Sequence, residues 1–293
     1  MGFVTIAVLA VLTGITRSQS VTIRPEAASA DRSPHPNAVL QMPKKEVIFG
    51  QQTILIDKEA VEDVMATGKL NPSHYPAQRA AKVVQHYLNT RYGSPYRLFQ
   101  LHKVHSGHAE DVADSGRKYQ LEISVQEFLH NITEKCSAEV LFPMGEKLRS
   151  PEVQVSCEEV LKIDTKAQEY ALYQQYKMNH SQLSTQPLPD SHGNMEPKME
   201  PFWHLGIVAA SFIMLNESTE NTLYNVAQVA NVTQLETENE QLKFDYTILL
   251  HDIVSQEILH WKLLFTWSPS DGVKVLQMEQ LPRCHCEKPP STT

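Results

Sequence analysis

Strict alternation between residues 242 and 267 constrains this chain more than any other feature. Leu242, Phe244, Tyr246, Ile248 and Leu250 alternate with mostly polar positions, and the same period returns in Leu259, Trp261, Leu263, Phe265 and Trp267. Side chains two residues apart share one face of a strand, so each arm has a buried face and a wet one. Folding the chain at Val254 and Ser255 sets Leu250 opposite Leu259, Ile248 opposite Trp261 and Phe244 opposite Phe265. A one-residue slip would turn the whole apolar set to solvent, so the pattern defines an antiparallel hairpin and its register. Earlier in the chain Cys136, Ala138 and Val140 meet Val153, Val155 and Cys157 in the same manner. That register makes a cross-strand disulfide between Cys136 and Cys157 available, the alternative being two buried thiols on one strand face.

A helical pattern precedes each hairpin. Asn71-Pro-Ser73 opens the first, and Ala77, Ala80, Ala81, Val84, Tyr87 and Leu88 recur at helical spacing until Gly93 and Pro95 stop it. Strands are expected at Leu98 to Val104 and Lys118 to Phe128, then in the cysteine hairpin. Asp164 to Met178 reads as a connecting helix with Asp164 as its cap. After it the order repeats. Phe202 to Leu215, apolar almost all round, is expected to be the most buried helix; a strand follows over Leu223 to Leu235, then the long hairpin, then a last strand over Val273 to Met278. A helix followed by a four-stranded antiparallel meander, twice over, is an α+β architecture in which each sheet wraps its own helix. The repeat rests on element order, since the halves share no obvious residue identity.

The expected division is a signal peptide over 1–20, an N-terminal extension over 21–70 and a first subdomain over 71–163. A connecting helix and linker over 164–196, a second subdomain over 197–281 and a Cys/Pro-rich tail over 282–293 complete it. Phe3 to Ile15 is an apolar run too short to span a bilayer, and Ser18 and Ser20 supply small residues before a cleavage site after Ser20. The extension starts Pro-rich and offers short strands at Glu46 to Phe49 and Thr53 to Ile56. The secretory route gives meaning to the glycosylation sequons at Asn131, Asn179, Asn216 and Asn231. Cys284-His285-Cys286 would close a strained ring on itself, so pairing with another molecule or with a remote partner stays open.

Several functions find no support in the residues. A net charge of −8 without a basic stripe argues against nucleic acid, and no acidic run marks a calcium or mineral surface. No His-Glu-x-x-His, Gly-x-Ser-x-Gly or phosphate-binding glycine loop occurs, so no enzyme activity and no cofactor is expected. His102, His105 and His108 would point to alternate faces of a regular strand, which keeps one metal from collecting all three. Cys284-His285-Cys286 is too crowded for a tetrahedral zinc, and no metal site is expected. Glu110-Asp111 and Glu158-Glu159 read as solvated charges at loops or strand ends.

Tyr75-Pro-Ala-Gln-Arg-Ala-Ala81, Cys136-Ser-Ala-Glu-Val-Leu-Phe-Pro143 and above all the stretch from Phe244 to Ile258 resemble the latexin family over about Asn71 to Leu281. The resemblance implies two cystatin-like subdomains joined by a helix, and inhibition of A-type zinc carboxypeptidases as the partner enzymes. The papain-binding Gln-x-Val-x-Gly hairpin of cystatins is not reproduced, since Gln228-Val-Ala-Asn-Val232 lacks its central valine and its glycine. An inhibitor of a zinc carboxypeptidase must enter a funnel, which suits the narrow tip formed by Ile253, Val254, Ser255, Gln256 and Glu257. The resemblance carries the role onto Gln256 in particular. The bland alternative is an ordinary hairpin end with Ile253 and Ile258 packed inward, and the fallback contact surface is the groove beside the connecting helix. The leader, paired cysteines and tail are closer to the family's secreted relatives, with an avian eggshell matrix protein expected as nearest. That implies a competing role as an extracellular matrix protein associated with calcium carbonate mineral.

Overall fold

The computed structural model describes residues 67–145, 149–178, 183–185 and 187–282. The expected leader, most of the extension, Asn179 and the tail cysteines lie outside them. The described residues belong to one compact unit.

Two helix-and-sheet halves make up this unit. The first contains strand β1 (Gly68–Leu70), helix α1 (Tyr75–Tyr92) and strands β2 (Phe99–Val112), β3 (Gly116–Glu127), β4 (Ile132–Pro143) and β5 (Glu152–Ser156). After helix α2 (Lys166–Lys177) the second half brings β6 (Ser184–Thr185), α3 (Glu200–Asn216), β7 (Tyr224–Glu238), β8 (Gln241–Asp252), β9 (Glu257–Ser268) and β10 (Gly272–Gln280). Each half has one antiparallel sheet, ordered β1-β2-β3-β4-β5 and β10-β9-β8-β7-β6. The sheets have five strands where the alternation pattern gave four. The additional edge strands pair only at Gly68–Leu70 with Gly107–Ala109 and at Ser184–Thr185 with Val232–Thr233. Two or three residues are too few to display a period of two.

The long hairpin has the register that the alternation dictates: Leu250 faces Leu259, Ile248 faces Trp261 and Phe244 faces Phe265. Phe244, Tyr246, Phe265 and Trp267 sink into one cluster with Phe202, Leu205 and Ile213 of α3. In the first half Ala77, Ala80, Ala81, Val84 and Leu88 of α1 pack on Tyr119, Leu121, Ile123, Val125 and Val140 of its sheet. Cys136 and Cys157 are joined in a disulfide, with Cα atoms 5.0 Å apart.

Helix α1 also packs on α3. That contact explains the apolar circumference of α3, since one side meets its sheet and the other meets α1. From Phe202 to Leu215 no residue is exposed.

The halves correspond at one fixed chain offset, without insertion, from α1 through β4. That offset carries Tyr75 to Glu200, Leu98 to Leu223, Glu127 to Asp252 and Ile132 to Glu257. It also carries two bulges. In β2 the register shifts between Leu101 and Lys103 and again between Val104 and Ser106; in β7 it shifts between Val226 and Gln228 and between Val229 and Asn231. Each bulge inserts one unpaired residue, so the inward side chains recur every third residue instead of every second. Leu101, Val104 and Gly107 in β2 match Val226, Val229 and Val232 in β7.

The bulges correct one expectation. His102, His105 and His108 follow the same three-residue spacing and are all exposed, instead of alternating between faces. The His105 ring bonds the Ser124 hydroxyl through Nε2 at 2.7 Å. Among the described residues no group of three His, Cys, Asp or Glu side chains is arranged to hold a metal ion. β2 also runs on to Val112, so Glu110 and Asp111 lie within a strand, where they pair with Lys118 and Arg117.

Candidate functional site

The tip between β8 and β9 is built on Asp252. This residue ends β8 and is only 7% exposed. Its carboxylate accepts the backbone N–H of Leu223 at 3.1 Å, of Val254 at 3.2 Å and of Ser255 at 3.4 Å, and the Ser255 hydroxyl at 2.8 Å. The Ile253 N–H in turn donates to the Leu223 carbonyl at 2.9 Å. Each buried carboxylate oxygen thus has donors, and the turn is stitched to the segment that leads into β7. Tyr224, next to Leu223, has its phenol pushed up to about 12 by burial and then by the nearby Asp252 charge.

Above this clamp the expected contact residues separate. Val254, Ser255 and Gln256 are exposed, Ile253 and Glu257 half-buried. Ile258 is 45% exposed, so it does not pack inward as an ordinary hairpin end would have it. Gln256 adopts φ 60°, the left-handed region that a side chain with Cβ occupies at some cost. Its Nε2 donates to the Ile253 carbonyl at 2.6 Å, which leaves the amide oxygen free to accept. The tip is a tight, preorganised projection with an exposed, apolar Val254 and an exposed Gln256.

Alternation located the tip but not its clamp. The legible signal was a short polar residue at the strand end followed three residues later by serine, Asp252 and Ser255, a pattern that captures turn N–H groups.

The first half repeats the device at the same offset. Glu127, fully buried, accepts from the N–H of Leu98 at 2.9 Å and of His130 at 2.7 Å, and Phe128 N–H donates to the Leu98 carbonyl at 2.8 Å. Asn131, with φ 56°, stands where Gln256 stands.

Of the sequons, Asn131 is on this first tip, with its Oδ1 held by Gln126 at 2.5 Å. Asn216 ends α3 and bonds Ser150 and Glu217, while Asn231 is half-buried on β7 and bonds Thr233. The groove beside α2 has a volume of about 430 Å³, and Tyr96, His130, Leu172, Tyr176 and His204 are among its lining residues. Burial holds the His204 imidazole below its usual value. No described helix is long and apolar enough to cross a membrane.

The duplicated helix-on-sheet fold and its hairpin tip can be set beside known proteins. The latexin family model matches residues 70–285, and the chain belongs to the latexin family. Latexin of Mus musculus is 36% identical over 216 residues, which cover 73% of this chain and 97% of that protein. Retinoic acid receptor responder protein 1 of Homo sapiens is 32% identical over 221 residues, 72% of each chain. Ovocalyxin-32 of Gallus gallus is 30% identical over 208 residues, covering 70% of this chain and 74% of that protein. Identity to ovocalyxin-32 is thus lower than identity to latexin.

Proposed function

We propose that the protein is a secreted inhibitor of A-type zinc metallocarboxypeptidases. Its two halves act as cystatin-like subdomains, over 71–163 and 197–281, and the connector over 164–196 joins them. Residues 1–20 are its leader. The tip from Ile253 to Glu257 enters the enzyme's funnel, with Val254 against the rim and the Gln256 amide oxygen toward the zinc. The observation that carries this reading is the clamped tip. Asp252 fixes the turn before any partner arrives, so little ordering entropy remains to be lost on binding. The reaction needs no catalytic group from the inhibitor, only a projection that occupies the site without presenting a cleavable chain end. Asn131 is the sequon best placed to carry glycan, on an exposed turn with its Nδ2 free of hydrogen bonds.

Titrating purified protein into an A-type carboxypeptidase that is cleaving a peptide with a C-terminal phenylalanine tests the reading. Stoichiometric loss of activity at nanomolar concentration supports it, and full activity at micromolar inhibitor contradicts it.

A second reading is an extracellular matrix role. The likeness to ovocalyxin-32 and the Cys136–Cys157 bridge, which suits an oxidising compartment, favour it. Salt-resistant retention on calcite without inhibition is its distinguishing result.

A further inference from the structure

Each turn clamp is tied to the opposite half, and the tie is made twice. Arg79 of α1 donates from Nη1 to the backbone carbonyl of Glu220 at 2.6 Å. His204 of α3 bonds the backbone carbonyl of Pro95 through Nδ1 at 2.8 Å. The offset that relates the halves carries Arg79 to His204 and Pro95 to Glu220. These reciprocal contacts straddle the α1–α3 packing as a pseudo-twofold pair.

Around the second tip the tie is the stronger of the two. Glu220 lies in the loop between α3 and β7, just before Leu223, whose N–H enters the Asp252 carboxylate. The first half grips this residue by its side chain as well: the Tyr119 hydroxyl donates to Oε1 at 2.5 Å, and Arg117 Nη1 lies 3.8 Å from the same oxygen. Arg79 is itself 7% exposed, with its guanidinium 5.1 Å from the Tyr75 ring centroid and within electrostatic reach of Asp252. A buried guanidinium in such a setting makes a charge-assisted bond that a neutral imidazole does not match.

We propose that Arg79 is a positioning residue for the tip at Ile253 to Gln256, so that the first half sets the geometry with which the second half presents its contact surface. The chain of contacts is continuous. Arg79 holds the Glu220 carbonyl, the loop delivers Leu223, and Leu223 exchanges bonds with Asp252 and Ile253, which shape the turn. The consequence for inhibition rests on the proposed function, whereas the bracing of the tip does not.

Amide hydrogen exchange on the full chain, comparing the wild type with Arg79→Met, Arg79→Lys and His204→Gln, tests this. Arg79→Met is expected to speed exchange at Val254 and Ser255 by about 10-fold, the scale of one lost charge-assisted bond, with Leu242 to Ile248 unchanged. Arg79→Lys is expected to restore most of the protection, and His204→Gln to loosen His130 but not Ser255. Carboxypeptidase inhibition by Arg79→Met should weaken in parallel and recover in Arg79→Lys. Unchanged exchange at Val254 and Ser255 in Arg79→Met overturns the proposal. If that variant also loosens Leu242 to Ile248, Tyr119→Phe decides: a smaller increase confined to the tip sustains the proposal, and none overturns it. A wild type that does not inhibit would remove the proposed function while leaving the exchange result to decide the bracing.

Discussion

Gly206 of α3 lies against Val229 of β7 so closely that a Cβ on the glycine would sit 2.6 Å from Val229 Cγ2 and 3.3 Å from the Tyr246 ring. The equivalent residue in the first half is Ala81, so α3 approaches its sheet more tightly at this point than a side chain permits. In an exposed helix, Gly→Ala would stabilise by about 1 kcal/mol. Here Val229 is buried on a bulged strand and Tyr246 is fully enclosed, so neither can give way. Gly206→Ala is therefore expected to destabilise by about 1–3 kcal/mol, the range for overpacking a core. A shift of the urea midpoint to lower concentration, at unchanged m-value, is the measurement.

The Cys136–Cys157 bridge closes a short loop, with a sequence separation of 21. Restricting the unfolded chain over such a loop is worth about 3 kcal/mol. The double variant Cys136→Ala/Cys157→Ala is expected to unfold at lower denaturant by about that amount and to leave the β8–β9 hairpin untouched. Equilibrium unfolding with and without reductant should reproduce the difference in the wild type.

His86 of α1 is 1% exposed beside the Tyr224 backbone, and neither ring nitrogen makes a well-formed hydrogen bond. Burial first, and the Lys82 charge second, hold its imidazole well below 6.5, and burial brings the Lys82 amine down to about 8. The unfolded chain takes up a proton at His86 near pH 6.5 and the folded chain does not, so acid favours unfolding. The stability linked to this residue is complete above about pH 6.5 and declines as pH falls toward the depressed value, at up to about 1.4 kcal/mol per pH unit. Removing the titrating ring in His86→Gln is expected to flatten the pH dependence between 7 and 5. Urea unfolding at those two pH values compares the slopes directly. His204, also depressed by burial, contributes with the same sign and remains in the variant.

Periodicity carried much of this structure. The register of β8 on β9, the opposed cysteines and the enclosed α3 all follow from residues two or three to four apart, because burial of one face selects them. What stayed hidden depends on single residues that break a period or reach across the chain. Nothing in Leu101-His-Lys-Val104 announces a bulge, and a regular strand would put the exposed histidines on alternate faces. β1 and β6 are too short to have a pattern. The tip was visible as the end of alternation, but its clamp needed Asp252 and Leu223 to meet, and its brace needed Arg79 to reach Glu220. Contacts of that separation leave no local signature, and the identity between the halves is too slight to reveal that each is made twice.

The most direct test of the central claim is the inhibition constant of Gln256→Ala against an A-type zinc carboxypeptidase, with Asn131→Gln as a control on the equivalent tip of the first half. Gln256 contributes an amide that would be enclosed in a dehydrated funnel, while its loss removes only the bond to the Ile253 carbonyl from the free protein. Inhibition weakened by about 1–3 kcal/mol, with stability and the control unchanged, is the expected result. An unaltered constant in both Gln256→Ala and a charge reversal at Glu257, in a protein that does inhibit, would contradict it and move the contact surface to the groove beside α2.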